Sequence, residues 1–105
     1  MDLETLKAKL RSYPKDKIIL NEHSRLRSIQ RNISLKDILN HISSPEKLYY
    51  FEEQTANKSN EYKFNCFFHH SNKYVYRFVI VINGECVIIT VIRINKIMQK
   101  EADKV

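Results

Sequence analysis

The chain contains few of the residues that interrupt regular structure or cross-link a fold. Its 105 residues include one glycine, two prolines, two cysteines and no tryptophan. So little glycine and proline excludes long flexible linkers and low-complexity segments, which are rich in both. The two cysteines, Cys66 and Cys86, are too few for a disulfide framework. The length fits one domain with a modest hydrophobic core.

Long hydrophobic segments are also missing. The longest apolar stretch, from Phe78 to Ile82, is followed by Asn83-Gly84-Glu85 before a second one begins at Cys86. Neither stretch reaches the roughly 20 residues that a membrane-spanning helix needs. The first seven residues are charged and lack the apolar centre of a signal peptide. We therefore expect a cytoplasmic protein without a membrane partner.

Positive charge predominates along the chain. Lysine and arginine number 18 against 12 for aspartate and glutamate, which gives a formal net charge of +6. Such a balance favours an anionic partner, such as nucleic acid or an acidic protein. Isoleucine, lysine and asparagine are all abundant, so a lysine-rich proteome is the alternative source of this charge.

The hydrophobic pattern divides the chain into three parts. Helical spacing of apolar residues dominates residues 1–45, strand-like alternation dominates residues 46–94, and a charged tail covers residues 95–105. Apart from a short strand candidate at residues 17–20, helices precede strands. This order is typical of an α+β domain, because segregated elements pack as separate layers. We expect one domain with two or three N-terminal helices on one face of a small curved antiparallel sheet of about four strands.

Three segments have helical patterns. The first, at the N-terminus, has leucines at helical spacing. The second covers residues 22–31, with Leu26 and Ile29 on its apolar side. The third is predicted to begin after the N-cap residue Ser34 and to end at Pro45.

The strongest strand candidates are residues 74–82 and 86–94, joined through Asn83-Gly84, a strong signal for a two-residue hairpin turn. Such a turn places Arg77 directly opposite Thr90. The other face of the hairpin is then apolar and is the predicted core side; it comprises Tyr74, Tyr76, Phe78, Ile80, Val87, Ile89 and Val91.

Arg77 is the only charged residue within its predicted strand. An unpaired buried arginine is costly. We therefore expect Arg77 to lie near solvent, to pair with an acid such as Glu22 or Glu61, or to face an anion.

The second predicted helix carries a row of basic side chains. His23, Arg27 and Arg31 are spaced four residues apart, so they share one helix face. Cations in a row repel one another unless an anion lies opposite, so this pattern favours a phosphate-bearing partner. A solvated helix face is the alternative explanation.

The segment His23-Ser-Arg-Leu-Arg27-Ser-Ile-Gln-Arg31-Asn-Ile-Ser34 resembles the start of the family called domain of unknown function 4258. The capped helix that ends at Pro45, the late arginine-containing strand and the run Ile89-Thr90-Val91 are also similar to that family. The resemblance covers roughly residues 17 to 94. Asn32 stands where the family usually has glycine, a mild departure because asparagine also adopts left-handed backbone.

This resemblance implies a fold like those of RelE and barnase, a group that includes many metal-independent ribonucleases and toxins. It thereby implies a RelE-like α+β domain that binds or cleaves RNA, with an acidic antitoxin or immunity protein as a further partner. Such a ribonuclease needs neither a metal nor another cofactor.

Metal-free RNA cleavage needs a base for the 2′-hydroxyl, a cation for the phosphate and an acid for the leaving oxygen. His23 is the predicted base or acid, because imidazole titrates near neutral pH. Arg27 and Arg77 are predicted to clamp the phosphate, and Thr90 to donate a hydrogen bond to it. The additional predicted RNA-binding residues, which include candidates for a second acid–base group, are Arg31, Tyr62, Lys63 and His69.

Two other functional classes stay open. The first is a non-catalytic module that binds RNA or the ribosome through the same basic surface. The second is an interaction protein that binds an acidic, antitoxin-like partner. A metal site is not favoured, because Cys66 with His69 and His70 lacks the ligand count of a zinc site.

Overall fold

The computed structural model describes residues 1–56, 58 and 60–96. Within this part of the chain, three α-helices and two 3-10 turns accompany five strands. The helices are α1 (Leu3–Arg11), α2 (Glu22–Gln30) and α3 (Leu35–Ser43), and the 3-10 turns are Lys15–Lys17 and Pro45–Lys47. The strands are β1 (Ile18–Leu20), β2 (Leu48–Gln54), β3 (Tyr62–His69), β4 (Tyr74–Ile82) and β5 (Cys86–Asn95).

Side-chain caps set where the three helices begin. Asp2 and Asn21 each accept a backbone hydrogen bond of 2.8 Å at the first turns of α1 and α2. Ser34 accepts the longer bond, 3.4 Å, from the backbone N–H of Asp37 in α3. These bonds satisfy amide groups that have no partner inside the helix. Asn32 has a φ of 53°, so it reverses the chain between α2 and α3 as the sequence predicts.

The fold is α+β, as predicted, but the sheet is larger and mixed. Its strand order is β1-β5-β4-β3-β2, with antiparallel pairing everywhere except between β1 and β5. The prediction of about four antiparallel strands is therefore wrong at this edge, where β1 pairs with β5 in parallel. The short strand at residues 18–20 joins the sheet in parallel because the connection back to β5 passes through the helices and the whole meander.

One face of the sheet carries the helices and the core. Leu6 and Leu10 of α1 and Ile38 and Ile42 of α3 are fully buried. They form one cluster with the inward-facing side chains of the sheet, which include Phe64, Phe68, Phe78, Ile80 and Ile88. We call this the helix face and the opposite side of the sheet the second face. The second face includes Lys63, Asn65, Phe67 and His69 of β3 and Arg77 of β4, by the two-residue alternation of a strand.

The β4–β5 hairpin differs from its predicted register. Ile82 pairs with Cys86, not with Glu85, because three residues form the turn and Gly84 takes a φ of 97°. One extra residue moves each β5 side chain to the opposite face. Cys86 and Ile88 are therefore in the core, and the predicted core positions Val87 and Ile89 are wrong.

A β-bulge farther along β5 restores part of the predicted arrangement. Between Ile80 and Val79 the pairing shifts by one residue, so that Val79 pairs with Thr90 and Val91 returns to the core. Arg77 pairs with Ile92 instead of Thr90. Arg77 and Thr90 thus share the second face but lie diagonally across the strand pair.

Helix α2 also faces the opposite way from its predicted orientation. Leu26 and Ile29 are 54% and 75% exposed, whereas Ser24 and Ser28 are buried. Ser24 Oγ donates 2.9 Å to the carbonyl oxygen of Ile88, so small side chains bring the helix close to β5. Helical periodicity predicts that the apolar side of α2 is buried. It takes no account of the hydrogen bond that a serine can donate to the edge of a strand.

Of the helices in the described residues, none combines the length and hydrophobicity that crossing a bilayer requires. Residues 97–105 of the predicted charged tail lie outside the described part of the chain.

Candidate nucleic-acid interface

His23 and Arg27 lie on the surface of α2, as the four-residue spacing predicts. Both side chains are exposed. Nη1 of Arg27 donates 3.3 Å to Oε1 of Gln30, one turn away on the same helix. Both side chains therefore line the outside of α2, where a ligand can reach them.

Arg31, the third residue of the predicted row, makes a contact within the protein instead of projecting into solvent. Its Nη1 donates 2.6 Å to the carbonyl oxygen of Val91, and its side chain is half-buried. The bond joins the end of α2 to β5 beyond the point where β1 stops pairing. Arg31 thus satisfies a carbonyl on a strand edge that has no neighbouring strand there.

His23 and Arg27 lie on the flank of α2 opposite Ile29. Ser24 and Ser28 point to β5, while Ile29 and Asn32 border a groove shared with Leu35 at the start of α3. Helix α3 packs on the helix face, so the flank of α2 that carries Ile29 is the one nearer that face. At 100° per residue, His23 and Arg27 occupy the opposite flank.

Arg77 is held in place by an amide. Its Nε donates 2.7 Å to Oδ1 of Asn65, which is buried on the neighbouring strand. In the described residues no carboxylate lies within 4 Å of Arg77, so the predicted alternatives of an ion pair with Glu22 or Glu61 are wrong. An amide fixes a guanidinium without neutralising it, so the positive charge stays available to an anion.

Thr90 and Lys63 share the second face with Arg77 and are both half-buried. Thr90 lies on β5, on the edge to which α2 is bound, and Lys63 lies on β3, one strand beyond Arg77. The second face therefore presents a hydroxyl, a guanidinium and an ammonium across three adjacent strands.

The remaining two predicted residues lie apart. Tyr62 points to the helix side and borders a pocket with Met1, Lys9 and Gly84 near the β4–β5 turn. His69 lies at the far end of β3, where its ring stacks on Tyr49 with centroids 3.9 Å apart. The structure does not bring Tyr62 together with the arginines.

His23 has no second acid–base group beside it among the described residues. No hydrogen bond or ion pair in that part of the chain joins its ring to another side chain. The predicted candidates for the missing group, Tyr62, Lys63 and His69, lie on β3, two strands away from β5.

A histidine pair that the sequence did not indicate lies at the other end of the sheet. Nε2 of His41 is 3.0 Å from Nδ1 of His70, and Nε2 of His70 is 3.8 Å from Oδ2 of Asp37. The His70 ring stacks on buried Tyr76 with centroids 4.0 Å apart. Asp37 and His41 share one face of α3 because they are four residues apart, but His70 comes from the β3–β4 turn, and sequence spacing cannot show that contact.

Burial and neighbouring cations set the chemistry of this pair. Burial, followed by the nearby His70, lowers the pKa of His41 to about 4. His41 is therefore neutral near pH 7, and in one of its tautomers Nε2 accepts a hydrogen bond from Nδ1–H of His70 across the 3.0 Å contact.

The cysteines are buried and chemically quiet. Burial raises the pKa of Cys86 to about 12 and raises that of Cys66 further. Cys66 lies in the core while His69 is on the second face, so they do not converge. No group of three His, Cys, Asp or Glu side chains in the described residues is placed to hold a metal ion.

Comparison of the chain with family models, curated proteins and solved structures finds no match. The resemblance to domain of unknown function 4258 and the RelE-like assignment therefore stay predictions from the residues.

Proposed function

We propose that this protein is a metal-independent endoribonuclease of RelE-like type, with RNA bound along α2 and the second face of the sheet. The observation that carries the proposal is the placement of Arg77. Its guanidinium is fixed by Asn65 and has no carboxylate within 4 Å in the described residues. We infer that His23 and Arg27, on the flank of α2 opposite Ile29, project towards the same side of the sheet. A held, unneutralised arginine is suited to binding a phosphodiester.

Each residue has a defined role in this proposal. Arg77 and Arg27 bind the phosphate that is cleaved, and Thr90 donates a hydrogen bond to it. His23 takes the proton of the 2′-hydroxyl as its oxygen bonds to phosphorus; the P–O5′ bond breaks, and the leaving 5′-oxygen takes its proton from water, since the described residues place no acid beside His23. Lys63 binds a neighbouring phosphate of the strand.

The test measures binding and cleavage separately. Purified protein is mixed with labelled single-stranded RNA in EDTA, binding is followed by fluorescence anisotropy and cleavage on denaturing gels. We expect Arg77→Gln to weaken binding and to reduce the salt dependence by about one phosphate contact. We expect His23→Ala to lower the cleavage rate at least ~100-fold while RNA still binds.

Lys15→Gln is the matched control, because it removes one exposed charge from the 3-10 turn before β1. Cleavage by His23→Ala at the wild-type rate would remove the role of His23. Equal loss of binding in Arg77→Gln and Lys15→Gln would show that only net charge matters and would remove the proposed interface.

A non-catalytic RNA-binding module is the second candidate. It is favoured by the lack of an acid–base partner beside His23 in the described residues. Salt-sensitive RNA binding by the wild-type protein without any cleavage would establish this alternative.

An interaction protein is the third candidate, and the exposed apolar side chains Leu26, Ile29 and Leu35 favour it. They lie among the exposed cations Arg25 and Lys36, a combination that suits an acidic, antitoxin-like or immunity-like chain. Failure to bind RNA at low salt would leave this candidate in place of the first two.

A further inference from the structure

We propose that the end of the sheet around the β3–β4 turn is a binding pocket for a phosphate group of a nucleotide or an RNA end. The pocket measures about 320 Å³, large enough for a phosphate and part of a sugar. Its lining residues are Lys47, His69, His70, Ser71, Asn72 and Lys96. The binding of an RNA end rests on the proposed function, whereas the binding of phosphate itself does not.

Among the described residues, the lining contains cations and hydrogen-bond donors and no carboxylate. Lys47 comes from the 3-10 turn before β2 and Lys96 from the end of β5, so distant parts of the chain bring two ammonium groups to one pocket. Burial lowers the pKa of His69, and the positive charges of Lys96 and Lys47 lower it further. Like charges gathered in this way are stabilised by an anion.

Two acids lie near the pocket without lining it, and one of them, Asp37, faces the lining residue His70. Glu46, next to Lys47, has Oε1 3.7 Å from Nε of Arg11. Asp37 has its carboxylate towards His70 at 3.8 Å. Neither acid lines the pocket, so a phosphate meets the lysines before it meets a carboxylate.

Two of the lining residues, His70 and Ser71, are held in place by contacts. His70 is fixed by His41 on one side and by its stack on Tyr76. Oγ of Ser71 accepts backbone hydrogen bonds from Lys73 and Tyr74, at 3.2 and 3.1 Å, which leaves its own proton to donate. Fixed donors bind an anion without a large loss of side-chain entropy.

An aromatic surface adjoins the pocket. Tyr49 stacks on His69, and 40% of its surface is exposed. The exposed part of this ring can stack on a base, as aromatic side chains do in proteins that bind single strands. The pocket and Tyr49 together fit a phosphate with its attached nucleoside.

The first experiment uses inorganic phosphate and follows the backbone amide signals of the full chain by NMR. We expect saturable shifts at His69, Ser71, Asn72 and Lys96. We also expect Lys47→Ala and Lys96→Ala each to weaken binding at least ~10-fold, since each removes one of the two charges. Lys15→Ala is the control and should bind phosphate as the wild type does.

Shifts that do not saturate, or that are equally weakened in Lys15→Ala, would overturn the pocket. Lys47→Arg, which keeps the charge, should retain saturable binding, and its loss of binding with a folded spectrum would likewise contradict the charge-based argument.

The second experiment compares RNA oligonucleotides that carry a 5′-phosphate, a 3′-phosphate or neither. We expect one terminal phosphate to improve binding at least ~5-fold in the wild type, and the Lys47→Ala/Lys96→Ala double variant to lose this advantage. Saturable phosphate binding without RNA binding would support the pocket and refute the proposed function. If the protein binds RNA but a terminal phosphate gives no advantage that depends on Lys47 and Lys96, the pocket is refuted and the proposed function is not.

Discussion

Arg31 and Val91 are joined by a 2.6 Å hydrogen bond between a guanidinium of α2 and a carbonyl of β5. The bond lies where the edge of β5 has lost its partner strand β1. One cation of the predicted phosphate-binding row is thereby part of the scaffold, while Arg27 and His23 of the same row remain on the surface.

Substitution of these arginines should separate stability from binding. Arg31→Gln should lower the free energy of unfolding by about 1–2 kcal/mol, because the Val91 carbonyl loses a charged donor. Arg27→Gln should change it by less than ~0.5 kcal/mol, because the side chain is exposed. Urea unfolding of the two variants measures both values, and equal losses would contradict a structural role that is specific to Arg31.

The orientation of α2 predicts an unusual pair of substitutions. Ile29→Ser should change the free energy of unfolding by less than ~0.5 kcal/mol, since Ile29 is 75% exposed. Ile33→Ala should cost about 2–4 kcal/mol, since Ile33 is buried in the core. If thermal or urea unfolding shows that Ile29→Ser is as costly as Ile33→Ala, then α2 faces the way its hydrophobic pattern predicts.

Asn32 should tolerate glycine better than alanine. Its φ of 53° is left-handed, a conformation that costs a residue with a Cβ about 1 kcal/mol and that glycine adopts freely. We therefore expect Asn32→Ala to lose about 1 kcal/mol of stability and Asn32→Gly to stay within ~0.5 kcal/mol of the wild type. Urea midpoints of the two variants check this, and the reverse order would contradict the left-handed backbone.

Stability should fall with acid because of His41. Its pKa is about 4 in the folded chain against an ordinary value of 6.5, so the unfolded chain binds a proton more readily. Stability from this group is therefore complete above pH 6.5 and is lost as the pH falls to about 4, by ~3 kcal/mol at most. Burial is the main cause of the lowered pKa; His70 and Lys47 lower it further, and Asp37 raises it.

Unfolding in urea at pH 7.5, 6, 5 and 4 measures this loss. His41→Phe keeps an aromatic ring beside Phe68 and removes the titrating group, so the difference between the two proteins isolates His41 from the carboxylates. Parallel pH curves for the wild type and His41→Phe would refute the assignment.

Much of the fold follows from local sequence signals. The caps at Asn21 and Ser34 and the left-handed Asn32 fix the helix boundaries, and the alternating pattern of β3 matches its observed pairing. Each of these signals depends on neighbouring residues only, and local chemistry is sufficient to determine them.

The errors arise where distant residues decide the outcome. A turn one residue longer than predicted and the β-bulge opposite Ile80 each shift the register of β5, and neither changes the apolar pattern of the strand. The burial of Ser24 depends on the carbonyl of Ile88, far along the chain. The contact of His41 with His70 is likewise not predictable from local sequence, because His70 lies in the distant β3–β4 turn.

The parallel pairing of β1 with β5 has a consequence for the order of folding. Ile18 meets Cys86 only after almost the whole chain has been arranged, whereas the β4–β5 hairpin closes through a short turn. The entropy of closing the longer loop exceeds that of the hairpin by about 3 kcal/mol on a simple chain model. During synthesis, moreover, β1 leaves the ribosome long before its partner strand exists. We therefore expect the β1–β5 pairing, and with it the final position of α2 beside β5, to form after the β4–β5 hairpin, so that the proposed RNA surface is completed late in folding.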